Sequence, residues 1–169
     1  MSIRRTYLVG FILTGVLLLT SVYLQFGQGI MPCPLCLLQR FVFCLLFILF
    51  SVGLFAYSKR WHRLLINSLT ALISLLGMFL AGRQAWLQHF PSANGSECGV
   101  SLQYMLQVLP MSKVIQKIFQ GSAECSRRGF EFLSLNLAEW SFLWFTVFLL
   151  LGLCLLFEEF TSNNHRSHS

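Results

Sequence analysis

Two cysteines two residues apart, Cys33-Pro34-Leu35-Cys36, have the spacing at which two sulfurs can act as one unit. Such a pair can exchange between a disulfide and two thiols, with one thiolate stabilised by its surroundings. It can also supply half of a zinc site, or close a purely structural disulfide. Cys98 and Cys125 are the other residues able to join that chemistry, and Cys44 and Cys154 complete the set of six. Structural zinc uses two compact knuckles. Cys98 and Cys125 are too far apart in sequence to make the second one, so no metal ligand is assigned. Redox exchange is the favoured reading, with zinc and structural disulfides as the alternatives.

Pro34 fixes one backbone angle and removes a donor inside the motif, which limits how the thiolate can be stabilised. Pro32 and Pro34 also suit a chain leaving one helix and entering another. Arg40 follows Cys36 by four positions. If a helix begins near Cys36, the two share a face one turn apart. An arginine there would stabilise a thiolate, or an anion developing beside it. The competing role is a membrane anchor whose head reaches the interface. His62 and His89 show no partner spacing and are assigned no role.

The elements that must hold these residues follow from composition. The 169 residues are 56% hydrophobic and 11% charged. Soluble domains are about 25% charged, so lipid is the expected solvent. The net charge is +6, but the basic residues bracket apolar runs, where Lys and Arg mark membrane boundaries. That placement argues against a nucleic-acid partner. Aspartate is absent, and no internal repeat is evident.

Residues 6–39, 41–58, 64–82 and 140–157 carry no charge. A spanning helix needs about 17–25 apolar residues. The last three stretches supply one helix each. The first is too long for one, and its end is rich in breakers (Gly27, Gly29, Pro32, Pro34). The expectation is an all-α membrane protein, one domain over 1–169, with a bundle of four transmembrane helices at about 7–26, 37–58, 64–82 and 140–158. Loops at about 27–36 and 83–139 lie on one side. The first helix is read as retained rather than cleaved: its apolar run exceeds the signal-peptide range of about 7–15, and no small-residue cleavage site follows.

Four spans put both termini on the side of the basic connector near Lys59, Arg60 and Arg63. Charges crowded into a short connector favour the cytoplasm for that side. The long loop contains a segment over 102–119, broken at Pro110, in which Val114, Ile115, Ile118 and Phe119 fall at helical spacing between Lys113, Gln116 and Lys117. A short amphipathic helix on the membrane surface fits it, as does ordinary packing on the bundle.

The cysteines sort by depth. Cys33, Cys36, Cys98 and Cys125 belong to the outer side. Cys44 and Cys154 lie within helices, separated in depth by roughly 15 Å at the rise of a helix, too far to bridge. They are read as small buried hydrophobes. Disulfide chemistry on the outer face requires an oxidising compartment, which favours a periplasmic or similar space. Oxidising two thiols releases two electrons, and the chain carries no haem, flavin or nucleotide fingerprint. A quinone dissolved in the bilayer is a two-electron acceptor that can reach the outer end of the second helix.

The run Met31-Pro32-Cys33-Pro34-Leu35-Cys36-Leu37-Leu38-Gln39-Arg40, two further loop cysteines and four spans together resemble the DsbB family of bacterial inner membranes. The likeness covers about 7–157. It implies a quinone-dependent oxidase for a DsbA-like periplasmic thiol oxidoreductase, drawing on the membrane quinone pool (ubiquinone or menaquinone). It implies that Cys98–Cys125 is the loop disulfide that accepts electrons, with Cys98 forming the mixed disulfide. It implies that Cys33–Cys36 reoxidises that pair, with Cys36 facing the quinone and Arg40 at the quinone site. There are departures. Gln39 stands where some members carry an acid, so no proton-transfer role is assigned to it. Arg83-Gln84 replaces a histidine-containing stretch, and the histidine's role is not transferred to His89.

Overall fold

In the computed structural model, residues 3–28, 34–56, 60–90, 110, 112–113, 131–132 and 135–167 are described. Four long helices dominate: α1 (Ile3–Gln28), α2 (Pro34–Ala56), α3 (Arg60–His89) and α4 (Leu137–Ser167). Two short strands, β1 (Glu131–Phe132) and β2 (Leu135–Asn136), pair antiparallel just before α4, with Glu131 opposite Asn136. All four helices are long and apolar enough to cross a membrane. At about 1.5 Å per residue, even the shortest exceeds a hydrocarbon core of about 30 Å. The fold is an all-α bundle of four membrane-crossing helices.

The helices outrun the charge-free stretches. α2 starts at Pro34, where a missing N–H costs nothing because the first helical N–H groups have no partner anyway. The loop expected over 27–36 is therefore shorter. α3 continues through residues 83–89, placed by the sequence reading in the long loop. Arg83 ends an uncharged run but does not end a helix, since arginine is a good helix former. α4 opens at a capping box: the Asn136 backbone N–H donates to Glu139 Oε2 at 2.7 Å, so the third helical residue closes the helix start. Of the segment read as an amphipathic helix, only Pro110, Ser112 and Lys113 are among the described residues, with Lys113 N–H donating to the Pro110 carbonyl at 2.9 Å. The rest of that segment lies outside them.

Consecutive helices pack on one another, most extensively α3 on α4. Aromatic side chains fill the centre. Phe43 of α2 stacks on Phe145 of α4 with ring centroids 4.2 Å apart, and Phe50 lies 5.7 Å from Phe148. Glycine lets α3 come close to that layer: a β-carbon at Gly77 would sit 2.5 Å from the Phe145 ring, which is fully buried. Leu, Val and Phe side chains elsewhere point outward, as lipid-facing surfaces should.

Polar contacts tie the end away from Cys36. Tyr7 of α1 donates to Asn67 Oδ1 of α3 at 2.8 Å, both being buried. Arg63 makes a forked contact with Glu159 of α4, at 2.6 Å to Oε1 and 3.1 Å to Oε2, and Arg60 reaches the Glu159 carbonyl at 3.3 Å. Arg60 and Arg63, which count in the sequence as boundary charges, thus also clamp α3 to α4. Cys44 is half-buried. Cys154 is exposed on α4, contrary to its reading as a buried hydrophobe, because it falls on the outward face of that helix.

Candidate functional site around Cys36

The opposite end of the bundle gathers the polar groups near Cys36. Starting α2 at Pro34 puts Cys36, Gln39 and Arg40 in its first turns, so the condition for Cys36 and Arg40 to share a helix face is met. Their polar atoms nonetheless reach different neighbours. Cys36 is half-buried, and its Sγ accepts a hydrogen bond from Gln84 Nε2 of α3 at 3.0 Å. Gln84 Oε1 in turn accepts from Gln39 Nε2 at 2.7 Å. Gln39 and Gln84 are 4% and 3% exposed. Two buried amides are costly unless their donors and acceptors are matched, and these two meet each other and the sulfur.

Arg40 turns to α1. Its Nε donates to Ser21 Oγ at 2.9 Å, one terminal nitrogen donates to the Ser21 carbonyl at 3.0 Å, and the other donates to Gln25 Oε1. A guanidinium has five N–H donors, so these three contacts leave two. The fork is held in place by α1 and retains donor capacity for an acceptor oxygen. Arg40 is half-buried.

His89 closes the last turn of α3. Its Nδ1 lies 3.0 Å from the Ala85 carbonyl, and its Nε2 lies 3.6 Å from Glu139 Oε1. These residues and Gly82, Trp86, Phe142 and Leu143 border an open groove of about 420 Å³ between α3 and α4. The sequence offered no partner for His89, because Glu139 is remote in the chain. Cys33, Cys98 and Cys125 lie outside the described residues.

The arrangement is thus a half-buried sulfur at a helix start, beside a neutral amide donor and one turn from a braced cation. Its elements all fall inside residues 3–155, the region that matches the family model described as disulfide bond formation protein DsbB. The chain belongs to the DsbB family. It is similar to the disulfide bond formation protein B of Chromohalobacter salexigens, with 36% identity over 92% of this chain and 91% of that protein. It is also 38% identical to the protein of that name from Azoarcus sp., over 91% of this chain and 92% of the relative. A third relative, from Xylella fastidiosa, is 35% identical over 93% and 91%. DsbB membership and four apolar helices make this a multi-pass membrane protein of disulfide bond formation.

Sequence reasoning noticed Gln39 and Gln84 only as departures from a family pattern. The signal that could have singled them out is physical: amides inside helices that otherwise bury Leu, Val and Phe need a partner, and two such amides at the same end of neighbouring helices can supply it.

Proposed function

We propose that the chain oxidises a DsbA-like periplasmic thiol oxidoreductase and delivers the electrons to the membrane quinone pool. The observation that carries the reading is the placement of the Cys36 sulfur, half-buried at the start of a membrane-crossing helix, in a chain of the DsbB family. A thiol there is partly withdrawn from solvent at the end of a membrane-crossing helix, and the sequence puts Cys98 and Cys125 on the same outer side.

A partner thiolate attacks the Cys98–Cys125 disulfide, forming a mixed disulfide through Cys98 and releasing Cys125 as a thiolate. The second partner thiol resolves it, leaving the partner oxidised and Cys98 and Cys125 reduced. Those two thiols then reduce Cys33–Cys36 by the same exchange. Two electrons and two protons now reside on Cys33 and Cys36. Ubiquinone or menaquinone supplies the two-electron, two-proton acceptor when bound, and Arg40 is the residue that would hold it. Gln84 of α3 donates to the Cys36 sulfur. DsbA, at about −120 mV, is a strong oxidant, so its reoxidation needs a thiolate trap of this kind at the exit point.

The same reading puts the Cys36 end in the periplasm and both termini in the cytoplasm, supported by the basic residues at the start of α3. The test is a trapping experiment. Reduced partner lacking its resolving cysteine, mixed with the chain in its Cys98–Cys125 disulfide state, should accumulate a mixed disulfide through Cys98. No adduct at Cys98 in correctly inserted protein would remove the partner from the account.

A further inference from the structure

We propose that Gln84 is a positioning residue for the Cys36 sulfur, and that Gln39 sets the direction in which the Gln84 amide points. The proposal rests on reading Cys36 as the thiol from which electrons leave. Gln84 uses both ends of its amide: Nε2 donates to Cys36 Sγ at 3.0 Å and Oε1 accepts from Gln39 at 2.7 Å. Both glutamines are buried.

An amide between two polar neighbours has two orientations, related by a half-turn. A thiolate can only accept, so the reduced state requires the nitrogen to face the sulfur. The Gln39 donor requires the oxygen to face Gln39, away from the sulfur. The two demands agree, and Gln39 holds the donor aimed before the thiolate forms. A hydrogen bond to an ionised acceptor is about twice as strong as one between neutral groups, and it strengthens further out of water. The contact therefore favours the thiolate over the disulfide sulfur. It makes Cys36 more reactive and the Cys33–Cys36 couple more oxidising. Because the amide is neutral, the donor adds no second buried charge to the helix interface.

The test uses the full chain, reduced and purified in detergent. Alkylation of Cys36 by iodoacetamide is followed across pH by peptide mass spectrometry, and the Cys33–Cys36 couple is equilibrated with a dithiothreitol redox buffer. Gln84→Met keeps the side-chain length and removes the donor. We expect the Cys36 profile to move to higher pH by about one unit, with alkylation about tenfold slower at neutral pH. The couple should become less oxidising by a similar factor, about 30 mV for two electrons. Gln39→Met keeps the donor but releases its orientation, and should give a smaller shift in the same direction.

A wild-type profile in folded Gln84→Met overturns the proposal. A shift in Gln84→Met with none in Gln39→Met overturns the part given to Gln39. Should Gln84→Met fail to fold, judged by gel filtration, an unchanged profile in Gln39→Met overturns the proposal. These readouts do not depend on turnover. Quinone reduction surviving in Cys36→Ser would instead strike the functional reading and leave the Gln84 contact to be judged on the Cys36 profile.

Discussion

Replacing Arg40 by alanine removes a cation that the bundle holds on one side and leaves available on the other. Ser21 and Gln25 engage three of its N–H groups, and two of the five remain. If one of those two donates to an acceptor oxygen, its loss forfeits a hydrogen bond from a charged group, about 1.5–3 kcal/mol. At 1.4 kcal/mol per factor of ten, the apparent KM for quinone should rise roughly 10–100-fold. Arg40→Lys keeps the charge but not the planar fork, and should fall between alanine and wild type. The assay is stopped-flow quinone reduction at saturating reduced partner with quinone concentration varied. Thiol exchange between partner and loop, measured in the same variants without quinone, should be unchanged. An unchanged KM in Arg40→Ala would return the residue to the role of a membrane anchor and refute the reasoning.

Loosening the brace instead of the cation gives a milder version. Ser21→Ala combined with Gln25→Leu should raise the same KM a few-fold, about the effect of losing 0.5–1 kcal/mol of orientation, and no change would mean that α1 does not position Arg40. Gly77→Ala drives a methyl into the buried Phe145 ring; overpacking of this kind costs about 1–3 kcal/mol, and a lower midpoint in thermal inactivation of detergent-solubilised protein checks it. Arg63→Ala leaves Glu159, 6% exposed, without its forked partner. Up to about 3 kcal/mol of stability should be lost, and the double variant with Glu159→Leu should recover part of it in the same assay. Tyr7→Phe removes the hydrogen bond to Asn67 and should cost about 1 kcal/mol, since side-chain hydrogen bonds inside membranes average less than that and reach about 1.7.

The four spans were legible because a lipid-facing helix cannot hide charges, and uncharged runs of the right length are hard to mistake. Their ends were less so. Arg83 looked like the start of a loop, yet α3 carries it, Gln84, Gln88 and His89 outward for two further turns, because continuing a helix needs only backbone partners and no apolar side chain. The same extension placed Gln84 against Cys36, which no local pattern announces. The pairing of Arg63 with Glu159 was hidden for a similar reason: it joins residues remote in the chain, and the sequence shows Arg63 only as one of several boundary charges. Pro34, by contrast, announced the helix start correctly in kind, and Arg40 fell on the same face as Cys36 once that start was known. The direction of the Arg40 side chain was not readable, since Ser21 and Gln25 become its partners only when α1 and α2 pack.

The central claim is that electrons leave the chain through Cys36. Quinone reduction by a reduced DsbA-like partner, followed in wild type, Cys36→Ser and Cys44→Ser, tests it most directly. The account predicts that Cys36→Ser abolishes quinone reduction while Cys44→Ser, altered at a half-buried thiol deeper in α2, stays near the wild-type rate. Full activity in Cys36→Ser would contradict it.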